Sequence, residues 1–250
     1  VALGLGESLV GRSHECDYPL FVKALPVVTS TRLEKGLTSR QIDDRIQEIV
    51  RQGLSVYEVD TALLRDLRPD LILTQSQCAV CAVTPADLEE ALGDWIGTAP
   101  TLLSLAPDTL EDVWSDFAKV AEAAGIPERA SSVVGDLKER MSGLSRSSAE
   151  RMDRPRVAAI EWIDPLMAAG NWVPELIETA GGHPLFARAG EHSSWLNWDD
   201  LIAADPDLIV AMPCGYLLPQ TLADLGSLVD HFGWKDLTAV RKGKVFAVDG

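Results

Sequence analysis

Apolar positions repeat with a helical period over a long stretch, Pro127 to Met152, and the rest of the chain arranges itself around it. Val133, Leu137, Met141 and Leu144 recur at steps of three and four, while Ser, Lys, Glu and Arg fill the remaining face. Pro127 suits a first helical turn. Pro155 ends the run and opens Arg156-Val157-Ala158-Ala159-Ile160, which reads as a strand. A helix of about 24 residues is roughly 36 Å long. Its narrow apolar stripe predicts a strut across two bodies rather than a core element.

The same phrase stands once on each side of this strut. Leu67-Arg68-Pro69-Asp70-Leu71-Ile72-Leu73 precedes it and Ala204-Asp205-Pro206-Asp207-Leu208-Ile209-Val210 follows it. Each copy leaves a short helical segment, turns on Pro-Asp and enters an apolar run of the kind buried in a parallel sheet. The pattern predicts an α/β protein of two Rossmann-like lobes with parallel central sheets, joined by one long backbone helix. The expected divisions are an N-terminal lobe over 1–126, the linking helix over 127–153 and a C-terminal lobe over 154–250. One continuous doubly wound domain is the competing arrangement.

Within the first lobe, Leu5 to Ser13 reads as a helix end and a short strand, Leu25 to Val28 as a second strand, and Ser55 to Val59 as a third. Ile42, Ile46, Ile49 and Val50 mark an amphipathic helix capped by Thr38 or Ser39, and Asp60 caps a shorter one. Thr84 to Gly93 reads as a capped helix, Thr101 to Leu105 as a strand, and Asp108 or Thr109 opens a further helix. In the second lobe, helices are expected over 173–180, from Asn197 as cap, and around Leu222 to Val229, with a terminal strand at Val245 to Val248. Both chain ends read as cut, the first inside a helix and the last before one.

At 250 residues and 46% hydrophobic content, the chain can bury one large core or two modest ones. A formal net charge of -16 argues against nucleic acid or an anionic membrane as partner, because counterion release needs clustered Lys and Arg. No apolar run approaches the roughly 18 residues of a membrane span. The four cysteines, Cys16, Cys78, Cys81 and Cys214, are too few for a disulfide scaffold. Cys78-x-x-Cys81 fits a redox pair, half a metal site, a local disulfide or two packed thiols.

Candidate chemistry collects after the predicted strands, where open α/β sheets place their ligands. His14, Glu15, Cys16 and Tyr18 follow the first; Gln75 and Ser76 follow the first Pro-Asp strand. Trp162, Asp164, Asn171 and Trp172 flank a Gly-Asn turn, Ser194 and Trp195 precede a helix, and Cys214 and Tyr216 follow the second Pro-Asp strand. The tryptophans offer walls for a large flat ligand. His14 with Cys16, Cys78, Cys81 and Cys214 forms a possible soft donor set for zinc, cobalt or an iron-sulfur group, with no metal assigned. An enzyme reading, thiol- or metal-dependent, finds no phosphate loop, nucleophile elbow or His-Glu-x-x-His motif to support it.

Taken together, Gly4-Leu5-Gly6-Glu7 through Ser13, the two Pro-Asp-Leu-Ile strands, Gly181-Gly182 and Val240-Arg241-x-Gly243-Lys244-Val245-Phe246 resemble the helical-backbone (class III, TroA-like) substrate-binding proteins of ABC importers. Gly11 to Pro19 and Leu73 to Val83 are similar to the subgroup labelled cobalamin-binding. That resemblance implies an extracytoplasmic, monomeric, non-enzymatic receptor for cobalamin or a related corrinoid, held between its lobes and delivered to an ABC permease, with no cofactor required. Ferric siderophore, haem or a metal is the alternative cargo. It implies corrin stacking on Trp195 and Trp172, and hydrogen bonds to the amide rim from His14, Glu15, Gln75, Asp164 and Asn171. Asp87, Glu89 and Asp224 are the expected docking acids for the permease. The aromatic wall that those receptors carry after the first Pro-Asp strand is replaced here by Gln75 or Ser76.

Overall fold

The computed structural model describes residues 1–52, 54–76, 83, 88, 93, 99–149 and 153–250. The chain divides into two compact units. The first comprises Val1–Gly36, Asp44–Pro107 and Glu111–Asp136; the second comprises Leu37–Asp43, Asp108–Leu110 and Leu137–Gly250.

In the first unit, β1 (Thr29–Thr31) pairs antiparallel with β2 (Tyr57–Val59), and β3 (Leu71–Gln75) pairs in parallel with β4 (Thr101–Leu105). The β3–β4 pair is the parallel sheet expected for the lobe, and the antiparallel β1–β2 pair is additional to it. The strand expected before Ser13 is reduced to one parallel bridge, Arg12 to Val27, and the strand expected over 25–28 begins only at Thr29. Helix α1 (Ser39–Arg51) starts with a capping box: the Thr38 N–H donates to Gln41 Oε1 at 3.0 Å, and the Gln41 N–H to Thr38 Oγ1 at 3.4 Å. Helix α2 (Thr61–Leu67) is capped by Asp60, whose Oδ1 accepts from the Leu63 N–H at 2.9 Å. Leu73, expected inside a buried run, is 47% exposed.

Helix α3 (Leu110–Ala123) and the long α4 (Glu128–Ala149) share a core of Leu3, Ala121 and Ala130, with Phe117, Val120 and Val133 against it. The 22 residues of α4 span about 33 Å. The division between the two units falls inside this helix, after Asp136. Its apolar stripe is narrower than the period predicts, because Leu144 is 63% exposed.

The second unit is a sheet built on β5 (Arg156–Trp162). β9 (Leu208–Ala211) lies parallel on one side, with β10 (Val245–Ala247) parallel beyond it. On the other side β7 (His183–Pro184) pairs in parallel with the start of β5, and β6 (Met167–Ala168) pairs antiparallel with its end. β8 (Ser194–Trp195) extends β6 antiparallel. Val157 to Ile160 are all buried, so this strand shows no polar alternation; both its faces are covered. The core gathers Ile160, Ile163, Leu201, Ile209, Leu228 and Trp234.

Helices α5 (Val173–Thr179), α6 (Trp198–Ala204), α7 (Leu218–Leu225) and α8 (Thr238–Arg241) complete the unit. α7 begins four residues before Leu222, and a 3-10 turn over Gly226–Asp230 replaces its expected end. Asn197 stands at the N-cap of α6 without capping through its side chain; its Nδ2 donates instead to Asp200 Oδ2 at 3.2 Å.

Two helix starts are held by carboxylates distant in sequence. Asp224 Oδ2 accepts from the Ser39 N–H at 3.1 Å, and Glu175 Oε2 from the Leu110 N–H at 2.7 Å. Both place negative charge at the positive end of a helix. Asp224 therefore does not serve as the outward-facing docking acid expected from sequence: it is 8% exposed and committed to Ser39.

Candidate functional site

The first unit folds around a cavity of about 380 Å³ at the carboxyl end of β3. Arg12 enters by the bridge to Val27, with its N–H on Pro26 O and its carbonyl taken by Val28, both at 2.9 Å. Its Nη1 then donates to the carbonyls of Ser13, His14 and Cys16 at 2.9, 3.3 and 3.0 Å. One guanidinium thus sets the curvature of the loop that carries His14, Glu15 and Cys16. Thr29 fixes the imidazole: its Oγ1 lies 2.7 Å from His14 Nδ1, accepts from the His14 N–H at 3.0 Å, and donates to Ser13 Oγ at 3.2 Å. The Tyr57 ring tilts against the imidazole with centroids 5.5 Å apart.

Val59, Leu64, Ile72 and Leu88 floor the cavity, and Ser13, His14, Glu15, Cys16, Thr74 and Gln75 give it polar edges. His14, Glu15, Cys16 and Gln75, expected as ligand contacts from the sequence, are thereby brought together. Tyr18 and Ser76 are not in this lining: Tyr18 is 86% exposed, and the Ser76 N–H donates to Leu105 O as the β3–β4 pairing ends. Arg12, Thr29 and Tyr57 were missed. Arg12 sits in the Gly11-Arg12-Ser13 stretch, whereas Thr29 acts on residues some 15 positions away, which no local pattern records.

In the second unit the expected residues take different roles. Trp195 is 62% exposed on β8, with an open indole face. Ser194 Oγ reaches toward Phe186 O at 3.5 Å. Asn171 adopts φ 51, its N–H donates to Glu191 O at 2.7 Å, and Trp172 forms the N-cap of α5. Gly170 is required beside it, since a Cβ there would lie 2.5 Å from Glu191 O. Asp164, expected on a ligand amide, is engaged by Arg40 Nη2 at 2.5 Å.

Tyr216 is a correction. It is 3% exposed and packs edge-on against Trp162 with centroids 5.5 Å apart, so it supports the tryptophan and faces no solvent. Burial first, and then the neighbouring Asp224 carboxylate, push its hydroxyl pKa up to about 12. A larger hollow of about 480 Å³ beside α5, bordered by Glu178, His183 and Arg188, contains none of the expected residues.

Cys16 is an exposed free thiol, and Cys214 is exposed. Cys78, Cys81, Asp87 and Glu89 lie outside the described residues. Among the described residues, no three His, Cys, Asp or Glu side chains converge as a metal site.

The first unit thus offers a cavity with an apolar floor and polar edges at a strand's carboxyl end, and the second unit an exposed tryptophan on a sheet edge. The chain belongs to the periplasmic binding protein family, whose model matches residues 1–250, and within it to the helical-backbone, TroA-like class. The family consists of non-enzymatic, extracytoplasmic solute-binding proteins that work with ABC permeases. No helix among the described residues is long and apolar enough to cross a membrane.

Three solved structures illustrate the likeness. The apo periplasmic heme-binding protein RhuT from Roseiflexus sp. RS-1 is 24% identical, covering 99% of this chain and 83% of that one, with TM-score 0.71. The periplasmic vitamin B12 binding protein BtuF of Vibrio cholerae is 18% identical, covering 99% and 82%, with TM-score 0.64. An ABC-type Fe3+-hydroxamate transport protein from Saccharomonospora viridis DSM 43017 is 20% identical, covering 100% and 80%, with TM-score 0.65. At these identities the likeness is one of fold. No curated protein matches the chain in sequence.

Proposed function

We propose that this receptor captures a cobalt corrinoid, cobalamin or a close relative, for import through an ABC permease. The carrying observation is the lining of the first unit's cavity, an apolar floor with uncharged and acidic polar edges that holds no Lys or Arg among its described residues. A corrin is fringed by neutral amide arms, which pair with hydroxyls, a carboxamide and a carboxylate such as Thr74, Gln75 and Glu15. Haem brings carboxylates, which call for a cation on entry to such a hollow. Arg12 is not among the lining residues, and its Nη1 is directed at three loop carbonyls. In the second unit, the open indole of Trp195 is a surface on which a flat macrocycle stacks.

Haem is the second reading, favoured by one feature: an imidazole and a thiol, His14 and Cys16, edge the same cavity and are both competent iron ligands. Calorimetric titration with cyanocobalamin, haemin and a ferric hydroxamate separates the readings. Cyanocobalamin is expected to bind with a dissociation constant of about 1 μM or tighter, near -8 kcal/mol. Binding of haemin with no heat from cyanocobalamin would transfer the assignment to haem.

A further inference from the structure

In the second unit, the end of β5 carries a bulge. The strand advances two residues, from Ile160 to Trp162, while β6 advances one, from Ala168 to Met167, so Glu161 is the extra residue. Its carbonyl accepts from the Cys214 N–H at 3.1 Å, beyond the end of β9. An extra residue of this kind re-aims its side chain out of the sheet's alternation, and such bulges recur beside functional sites. Ser193 fixes where this side chain goes. Its buried hydroxyl donates to Glu161 Oε2 at 2.6 Å and accepts from the Gly170 N–H at 3.0 Å, which uses its only proton. Gly170 belongs to the same frame, because a Cβ there would lie 2.6 Å from the Ser193 backbone nitrogen.

One carboxylate oxygen is thereby committed and the other is not. Among the described residues Glu161 Oε1 meets no donor, and it is not sealed from solvent. Asp164, three residues on and expected at a ligand amide, is instead neutralised by Arg40 at 2.5 Å. Glu161 stands at the carboxyl end of its strand, where open α/β sheets place ligands. Ser193 precedes the exposed Trp195 by two positions, about 7 Å along the backbone. The bond that holds the carboxylate therefore holds it beside the stacking surface. We propose that Glu161 is a specificity-determining residue of the receptor: Oε1 accepts from a neutral amide arm of the bound corrinoid and repels a corrinoid whose arm ends in a carboxylate. Ser193 is the positioning residue that aims it. This deepens the corrinoid reading above and rests on it. An amide N–H on a carboxylate is a charge-assisted bond, whereas an acid arm in its place sets two negative charges together with no cation between them.

The test titrates the full chain at neutral pH with cyanocobalamin and with its monocarboxylic derivatives, in each of which one amide arm has been hydrolysed to the acid. Wild type is expected to bind at least one derivative about tenfold more weakly than cyanocobalamin. Glu161→Gln keeps an acceptor for Ser193 and loses the charge. It should weaken cyanocobalamin binding by about three- to tenfold and bring the ratio for that derivative below about threefold. Ser193→Ala keeps the charge and loses the aim, so cyanocobalamin should bind about threefold more weakly while the acid remains disfavoured.

A merely structural role for Glu161 would weaken both ligands alike and leave their ratio where it is. Cyanocobalamin bound with a ratio that Glu161→Gln does not change would overturn the role of Glu161 while leaving corrinoid capture standing. Wild type binding every derivative as well as cyanocobalamin would overturn it too, and that measurement needs no variant to fold. Failure of every corrinoid to bind would overturn both.

Discussion

The two Pro-Asp-Leu-Ile copies perform the same backbone event and end differently. Each preceding helix closes on a non-glycine residue in the left-handed region, Arg68 at φ 47 and Asp205 at φ 41, before proline stops it. Such a residue costs roughly 1–2 kcal/mol. Asp205 offsets the cost, because its carboxylate accepts from the Thr238 N–H at 2.6 Å and hydroxyl at 2.8 Å. Asp207 adds an acceptor for the Arg156 N–H at 2.9 Å, and the Arg156 guanidinium covers the carbonyls of Ala204 and Asp205 at 2.7 and 2.6 Å. In the first copy the corresponding bond is from backbone to backbone, the Thr101 N–H donating to Asp70 O at 2.9 Å.

The strands that follow reflect this. Ile209 and Ala211 in β9 are fully buried between β5 and β10, whereas β3 leaves Leu73 exposed and delivers Gln75 to a cavity. The Pro-Asp punctuation encodes a turn into a strand. Side chains contributed from elsewhere decide whether that strand is sealed or left available to a ligand.

The strongest test is Asp205→Ala. Two charge-assisted bonds disappear and the Thr238 donors lose their acceptor, so a loss of about 2–3 kcal/mol is expected in urea denaturation. Arg68→Ala should stay within about 0.5 kcal/mol. Equal losses would dissolve the contrast.

The same carboxylate predicts a pH signature. Hydrogen bonds from Thr238 hold the Asp205 pKa below its usual value, against an opposing contribution from burial. A folded pKa lower than the unfolded one gives stability that is complete above the unfolded value and is lost as pH falls through the folded value. The gap between wild type and Asp205→Ala should therefore be constant from neutrality down to about pH 4–5 and narrow below it. A gap that widens on acidification would assign the stabilisation to some other group.

The ligand-facing half of the comparison is tested with Gln75 and its counterpart Met212. Loss of one neutral hydrogen bond predicts that Gln75→Ala weakens corrinoid binding by about three- to tenfold. Met212→Ala, at the sealed strand, should leave the affinity within about twofold. Equal weakening by both would remove the distinction between an open and a sealed strand end.

These contrasts also mark what the sequence could carry. Period and punctuation are local, so α4, β3, β4, β5, β9 and the Asp60 cap were legible from spacing alone. β6, β7 and β8 are two-residue strands that exist only because β5 and each other offer partners, and no window that short has a period. Asp224 reads as a surface acid on an amphipathic helix, yet its partner Ser39 is 185 positions away. Tyr216 reads as a ligand contact because it follows a strand, and the T-shaped packing on Trp162 that buries it depends on a neighbouring strand's register. For the site, residue chemistry was visible in His14, Glu15, Cys16 and Gln75. The orientation imposed by Arg12 and Thr29 was not, because Arg12 acts on backbone carbonyls and Thr29 on loop residues 15 and 16 positions away, and neither leaves a mark on local composition.

The smallest expected effect separates the copies most cleanly, because one substitution should change sign between them. Glycine enters the left-handed region without the Cβ penalty and is the usual residue just past a helix end. At Arg68 the relief of that strain should outweigh the added freedom of the unfolded chain, giving a gain of about 0.5 kcal/mol. At Asp205 the same relief is available, but Asp205→Gly also removes the acceptor for both Thr238 donors, so a net loss of about 1–2 kcal/mol follows. Measured side by side in urea, Arg68→Gly and Asp205→Gly should lie on opposite sides of wild type. If both stabilise, the bonds to Thr238 contribute less than the strain they accompany; if both destabilise, Arg68 holds its turn through its side chain, and the two copies are fastened alike.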